Sequence, residues 1–363
     1  MKKIVVNILQ FLLSLSIGST ILYFVYQHQS KAYTTDCMEE GNPASACNLI
    51  DKLFDDFQHT NFWWIGLVML AFLASNYSRT AKWMILLKPL GYQPRFINGY
   101  LSILVAYFAN IFIPRIGEVA RAGIFSKYEK IPVEKVMGTI VVDRVVDVLC
   151  LLLAFCLALF FEFDKLWGYI EQRSGQESGG GSSTKWLILG ILAAMAGVIF
   201  LLREKLARTA IFQKILKLVH GFWEGILTVR KLERPWLFIF HSLNIWFLYF
   251  LMTWLGFKAF GPTSHLDMRA ALTVFAFGTL GMVIPSPGGM GTFQGLVTGV
   301  LTLFYNIKGD DAFSVANIIF FLIQIGLNSV MGLIAFVLLP LLNKNYEPKV
   351  ADEWSEKLRE VSG

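Results

Sequence analysis

Two apolar stretches of this chain, residues 98–114 and 270–285, each run into a Pro/Gly break where an ordinary polar loop would be expected, and this constrains the fold more than any other feature. The first break reads Asn110-Ile-Phe-Ile-Pro114-Arg115-Ile-Gly117-Glu118-Val-Ala-Arg121. It sets three charged side chains, Arg115, Glu118 and Arg121, against an apolar run shorter than the ~20 residues a comfortable span needs. The second reads Pro285-Ser286-Pro287-Gly288-Gly289-Met290-Gly291 and turns apolar again through Tyr305. Hydrocarbon offers no hydrogen-bond partners, so irregular backbone at membrane depth survives only where protein buries it or where it lines a cavity. Paired breaks in two parts of one chain point to a midplane site of the transporter type.

Composition supports the membrane assignment. Hydrophobic residues make up 55% of the chain and charged residues only 16%, whereas a soluble domain carries about a quarter charged. The formal charge is +6. Its basic residues cluster between apolar runs and are not interleaved with aromatics for base stacking, which argues against nucleic-acid binding.

Complete spans are expected at residues 4–26, 62–77, 136–161, 186–202, 235–257 and 313–342. The first follows Met1-Lys2-Lys3 but is too long for a signal-peptide core and lacks a small-residue cleavage site, so it reads as a retained helix. Lys and Arg set the orientation. Residues 203–234 carry Arg203, Lys205, Arg208, Lys214, Lys217, Arg230, Lys231 and Arg234 and belong inside, as does a connection bearing Arg79, Lys82, Lys88 and Arg95. The acid-rich stretch 27–61 and the stretch 162–185, with its Gly-Ser tract, belong outside. If residues 98–114 crossed fully, every later loop would be inverted and the most basic one exported. A hairpin over 98–127 that enters and returns avoids this, and a second over 270–305 enters from the opposite face. The expectation is therefore an all-α polytopic membrane protein with about six full spans and two re-entrant hairpins, the membrane domain being residues 1–342 and the cytoplasmic tail 343–363. Eight plain helices are the alternative.

Cys37 and Cys47 fall in the outer segment, where an oxidising compartment permits a bridge or leaves two thiols, and Cys150 and Cys156 lie within an apolar helix. The scattered histidines make no metal-binding pair, and there is no phosphate loop or nucleophile elbow. No cofactor, metal or catalytic residue is expected. Residues 211–227 alternate apolar and basic positions like a helix lying on the inner leaflet.

Three candidate sites carry chemistry. Glu118 and Arg121 share a helical face and can pair, leaving Arg115 free for bidentate contact with a phosphate or for a nonspecific interfacial role. Asp143, Arg144 and Asp147 lie within an apolar helix, where ionisable groups mark a functional site or lock the helix to the first hairpin. The Pro285–Gly291 turn, with its two prolines and three glycines, can expose backbone amides to an anion or simply reverse the chain.

Asn110…Pro114-Arg-x-Gly117-Glu118…Arg121, Arg144-Val-Val-Asp147 and Pro285-x-Pro-Gly-Gly-x-Gly291, with Arg79…Trp83…Leu87, resemble the transmembrane-domain family named after lysylphosphatidylglycerol synthase. The resemblance covers most of the chain. It implies a flippase-like domain that moves anionic or isoprenoid-linked lipids between leaflets, as in the membrane part of the multiple peptide resistance factor. The short tail leaves no room for that family's soluble transferase. Family members often carry a carboxylate where this chain has Gln294, which removes the group a proton-coupled mechanism at that position would use. The combined expectation is a bacterial inner-membrane protein with both termini cytoplasmic. Its lipid headgroup site would be built from Asn110, Arg115, Glu118, Arg121, Arg144, Asp147, Ser286, Gly288, Gly289, Gly291 and Gln294. The partner is a membrane lipid, with a second copy of the chain or a separately encoded lipid-modifying enzyme as further candidates. Two alternatives are an intramembrane enzyme acting on a polyprenyl phosphate, with Glu118, Asp143 or Asp147 as its base, and a non-transporting partner subunit.

Overall fold

A computed structural model describes residues 2–113, 116–165, 167, 168, 227, 229–284 and 286–348. The expected span 186–202, most of the basic loop 203–234, the expected inner-leaflet helix 211–227 except at its last residue, and Pro114, Arg115 and Pro285 lie outside the described residues. Among the described residues the protein is all-α, with no strand. In chain order the helices are α1 Lys2–Glu39, α2 Leu49–Gln58, α3 Phe62–Leu87, α4 Phe96–Phe112, α5 Ile116–Glu129, α6 Val133–Phe161, α7 Pro235–Ala259, α8 Met268–Val283, α9 Thr292–Tyr305, α10 Gly309–Ile319 and α11 Asn328–Leu342. A π-helical segment, Phe320–Leu327, joins α10 to α11.

Among the described residues three continuous helices are long and apolar enough to span a bilayer: Val133–Phe161, Pro235–Ala259 and Gly309–Leu342. By contrast α4, α8 and α9 have 17, 16 and 14 residues, or roughly 21–26 Å at 1.5 Å per residue, against a hydrocarbon core of ~30 Å. These short helices pair as hairpins. In the first, α4 and α5 lie side by side, and Gly117 permits their close approach: a Cβ there would strike the Ala106 carbonyl and sit 2.6 Å from the Asn110 amide. Asn98, at the other end, donates to Glu129 (2.5 Å) and closes the base. In the second, Gly281 of α8 meets Thr292 of α9, whose hydroxyl donates to the Gly281 carbonyl at 2.6 Å.

The hairpins open toward opposite ends of the bundle. The base of the first lies beside the end of α11, where Asn98 and Asn343 exchange amide hydrogen bonds of 2.8 Å and Tyr346 donates to Glu129 at 2.9 Å. The base of the second lies with the α1–α2 end, where Lys165 sits 4.4 Å over the Tyr305 ring and Lys308 pairs with Glu40 at 3.5 Å. At the far end of the second hairpin, the Pro287–Gly289 turn packs against α4. Two oppositely opening hairpins therefore meet inside the bundle.

Two expectations are corrected. The stretch 27–61 is not a loop: α1 continues to Glu39 and α2 follows, capped by Asn48, whose side chain accepts from Ile50 N–H. A Cys37–Cys47 disulfide joins them, and Lys52 clamps α2 to α10 through Asp56 (2.7 Å), Asp311 (2.8 Å) and Asp310 (3.5 Å). The helix expected over 62–77 also runs on, to Leu87, so that Arg79 and Lys82 belong to its interior and not to a connection. Its face turns inward there because Trp83, Leu86 and Leu87 pack with Phe125, Ile140 and Phe238 of α5, α6 and α7.

Candidate functional site

Among the described residues four cations and three carboxylates from α3, α5 and α6 converge beneath the tip of the first hairpin. α3 supplies Arg79 and Lys82, which are 4% and 0% exposed. Helical spacing of three puts both on the face turned to α6. α6 supplies Asp143 and Asp147 one turn apart, with Arg144 between them in sequence. α5 supplies Glu118 and Arg121. Lys82 Nζ bridges the two aspartates, 2.6 Å from Asp143 and 2.9 Å from Asp147. Arg79 approaches both as well, at 3.6 and 3.0 Å. Its other terminal nitrogen donates to the Tyr249 hydroxyl at 3.4 Å, and that hydroxyl lies 3.2 Å from the hydroxyl of Tyr107.

The expected Glu118–Arg121 pair does not form. Arg121 reaches across to α6 and touches Asp143 at 3.3 Å, while Glu118 takes Arg144 at 3.1 Å, and Arg144 also holds Asp147 at 3.3 Å. The reason is geometric: the buried face of α5 points Arg121 at α6, and Asp143, itself wholly buried, is an anion already in place. The Glu118–Arg144 pair forms the outer edge of the cluster, with 31% and 42% of its side chains exposed.

Arg121 is buried and unusually placed. Its guanidinium lies 3.7 Å over the Trp83 ring, whose indole N–H donates to Thr139 Oγ1 at 2.9 Å. Only Nη1 contacts a carboxylate; Nε and Nη2 have no hydrogen-bond acceptor among the described residues. Those two nitrogens form the side-on edge that grips phosphate or carboxylate with parallel bonds.

The second break forms a separate group. Gly288, Gly289 and Gly291 take φ of 59°, 86° and 81°, a left-handed backbone that favours glycine. Its polar groups are occupied from within: Gln294 Oε1 accepts from Gly291 N–H at 2.8 Å, Gly289 N–H donates to the Ser286 carbonyl at 3.1 Å, and the Ser286 and Thr292 hydroxyls lie 3.1 Å apart. The Gly291 amide is thus filled by a side chain, where the sequence suggested it could receive an anion. Gln294 Nε2 reaches Asn317 at 3.5 Å. Asn110 caps the first hairpin's tip by accepting from Gly117 N–H at 2.7 Å. Among the described residues no hydrogen bond or ion pair joins this second group to the charged cluster, so Ser286, Gly288, Gly289, Gly291 and Gln294 stand apart from Glu118, Arg121, Arg144 and Asp147. Arg115 lies outside the described residues.

Arg79 and Lys82, expected in a connection, lie inside α3. Their signal was present: positions 79, 82, 83 and 86 keep a helical stripe going past Tyr77, and apolar residues resume at Met84.

The profile of the Lysylphosphatidylglycerol synthase TM region matches residues 49–341, from α2 nearly to the end of α11. The chain belongs to that family. This makes it a multi-pass integral membrane protein, of a family of membrane domains linked to lipid flipping. A curated relative, the UPF0104 membrane protein MJ1595 of Methanocaldococcus jannaschii, is 33% identical over 101 residues, which cover 27% of this chain and 30% of the relative. The match thus spans under a third of that relative's length. No solved structure matches the chain.

Proposed function

We propose that this family member is a flippase for a lipid with an anionic headgroup, either a phospholipid or an isoprenoid-linked phosphate, and that Arg121 binds the headgroup. The observation that carries this reading is the Nε–Nη2 edge of a buried guanidinium, without a hydrogen-bond acceptor among the described residues, in a cluster whose described members count one more cation than anion. Arg79 lies two turns, about 12 Å, from the Leu87 end of α3, which puts the cluster at apolar depth. Charge at that depth is costly unless paired, and an excess cation calls for an anion. The Arg144–Glu118 edge gives a headgroup its approach. The end holding the first hairpin's base and the chain's last described residues faces the cytoplasm in this reading, with the disulfide-bridged end outside. An enzyme needs a base free to move a proton, and the three carboxylates here are each held by one or more cations.

The test uses purified protein in phosphatidylcholine vesicles carrying a trace of fluorescent phosphatidylglycerol, polyprenyl phosphate or phosphatidylcholine. Anionic lipid should equilibrate between leaflets with its mass unchanged, and Arg121→Gln should abolish that movement. Arg121→Lys should restore only part of it, since an ammonium lacks the parallel donor pair. Equal movement of the zwitterionic lipid, or full activity of Arg121→Gln, would remove the assignment, and a new lipid mass would replace it with the enzyme reading.

A further inference from the structure

Asp143 holds the guanidinium that a headgroup would share, on Nη1, while the Nε–Nη2 edge beside it has no acceptor among the described residues. It contacts Arg121 through Nη1 at 3.3 Å, longer than the ~2.7–2.9 Å of a well-made charge-assisted bond. Its hold on Lys82 is much closer, at 2.6 Å, and Arg79 stands at 3.6 Å. The carboxylate can therefore give up Arg121 and keep two cations. Arg121 in turn keeps its orientation without Asp143, because its guanidinium rests on the Trp83 ring and that ring is pinned by Thr139.

We infer, resting on the flippase reading above, that Asp143 is a resident counter-ion that an arriving anionic headgroup displaces from Arg121, and that its return expels the headgroup. The two anions compete for one guanidinium. In the empty state the carboxylate limits how strongly Arg121 attracts a ligand; once the headgroup occupies the Nε–Nη2 edge, Arg121 and Asp143 separate and Lys82 compensates the carboxylate. Lys82 is suited to this because it is fully buried and already shared between Asp143 and Asp147. Release follows when the carboxylate re-forms its contact. Asp143 in this scheme is a positioning and exchange residue that need not touch the lipid.

This separates binding from turnover, which a purely structural ion pair would not do. Full-length protein in detergent is titrated with short-chain phosphatidylglycerol or phosphatidylcholine, and movement of labelled phosphatidylglycerol is followed in vesicles. Asp143→Asn should bind phosphatidylglycerol at least about tenfold more tightly than the wild type and move it at least about tenfold more slowly at saturating lipid. Binding that is unchanged or weaker overturns the inference. The double variant Lys82→Met/Asp143→Asn keeps the cluster's net charge and carries the same test if the single variant does not accumulate. It should also bind more tightly than the wild type, because Arg121 still lacks its competitor. A return to wild-type affinity in the double variant would assign the effect to net charge and overturn the exchange. Failure of the underlying reading looks different: wild-type protein would show no preference for phosphatidylglycerol over phosphatidylcholine.

Discussion

Lys82 and Arg121 are both buried cations of one cluster, yet the structure predicts that their loss has very different consequences for stability. Lys82 Nζ lies 2.6 Å from Asp143 and 2.9 Å from Asp147. At an effective dielectric of 20 each contact is worth roughly 6 kcal/mol of Coulomb energy, against which stands a desolvation cost of several kcal/mol for the ammonium. Lys82→Met removes the attraction and the cost together but leaves two adjacent carboxylates short of a cation, so the net loss should be about 3–5 kcal/mol. Arg121 makes one ion pair, at 3.3 Å, and leaves two donors unused. Its removal sacrifices a cation–π contact of roughly 1–2 kcal/mol while Lys82 still satisfies Asp143, so Arg121→Gln should cost about 1–2 kcal/mol. Thermal unfolding of the detergent-purified variants, followed by loss of the monodisperse gel-filtration peak, measures the order. Lys82→Met should lower the midpoint at least twice as far as Arg121→Gln. Equal losses would refute the division into a fixed and an exchangeable half of the cluster.

Two further outcomes test the frame around the site. Gly117→Val places a branched side chain against the Ala106 carbonyl and the Asn110 amide. It should cost about 1–3 kcal/mol or more through overpacking, and also break the Asn110 cap; expression and gel filtration check it, and a stable variant with normal activity would show that α4 and α5 need not touch. Lys52 is held above the usual lysine value: burial, the largest influence, lowers it, but the hydrogen bonds it donates to Asp311 and Asp56 and the attraction of their charges together outweigh that. A raised value means the clamp's stability is fully present below the unfolded lysine value and is lost only as pH climbs through the higher folded one. Lys52→Met should therefore lose roughly 1–3 kcal/mol by an amount that stays constant between about pH 6 and 9. A deficit that shrinks across that window would contradict the clamp geometry.

The hairpins were legible in the sequence because both signals are physical: arms too short to span, and Pro/Gly breaks that only a buried environment tolerates. Positive charge distribution then suggested that the two enter from opposite faces, and the described helices place their bases at opposite ends of the bundle. The charged cluster was only half legible. Glu118, Arg121, Arg144 and Asp147 stood out as ions beside apolar runs. Their pairing did not, because helical spacing shows which residues share a face of one helix and says nothing about a neighbour on another. Arg121 had Glu118 at a favourable spacing and took Asp143, which α6 brings to it from 22 positions away in sequence. Arg79 and Lys82 were misplaced for the opposite reason: a charge at the end of an apolar run looks like the membrane surface until the elements packed around it are known.

The two breaks also teach different lessons about polar chemistry at depth. At Pro287–Gly291 the backbone is irregular, and Gln294, Ser286 and Thr292 take up donors and acceptors of the turn from within it. Below the first hairpin the backbone is regular helix, yet the side chains are not fully satisfied. Replacing a buried ion cluster by packed apolar groups is often neutral or stabilising, and α3, α5 and α6 already share an apolar contact through Trp83, Phe125 and Ile140 that would serve for cohesion alone. Cohesion therefore does not require seven ionisable groups at this depth, still less an odd number of them. Among the described residues the cluster holds one more cation than anion, with the Arg121 guanidinium resting on the Trp83 ring and Arg144 half-exposed at its edge, and it is on this imbalance that the proposed headgroup site rests.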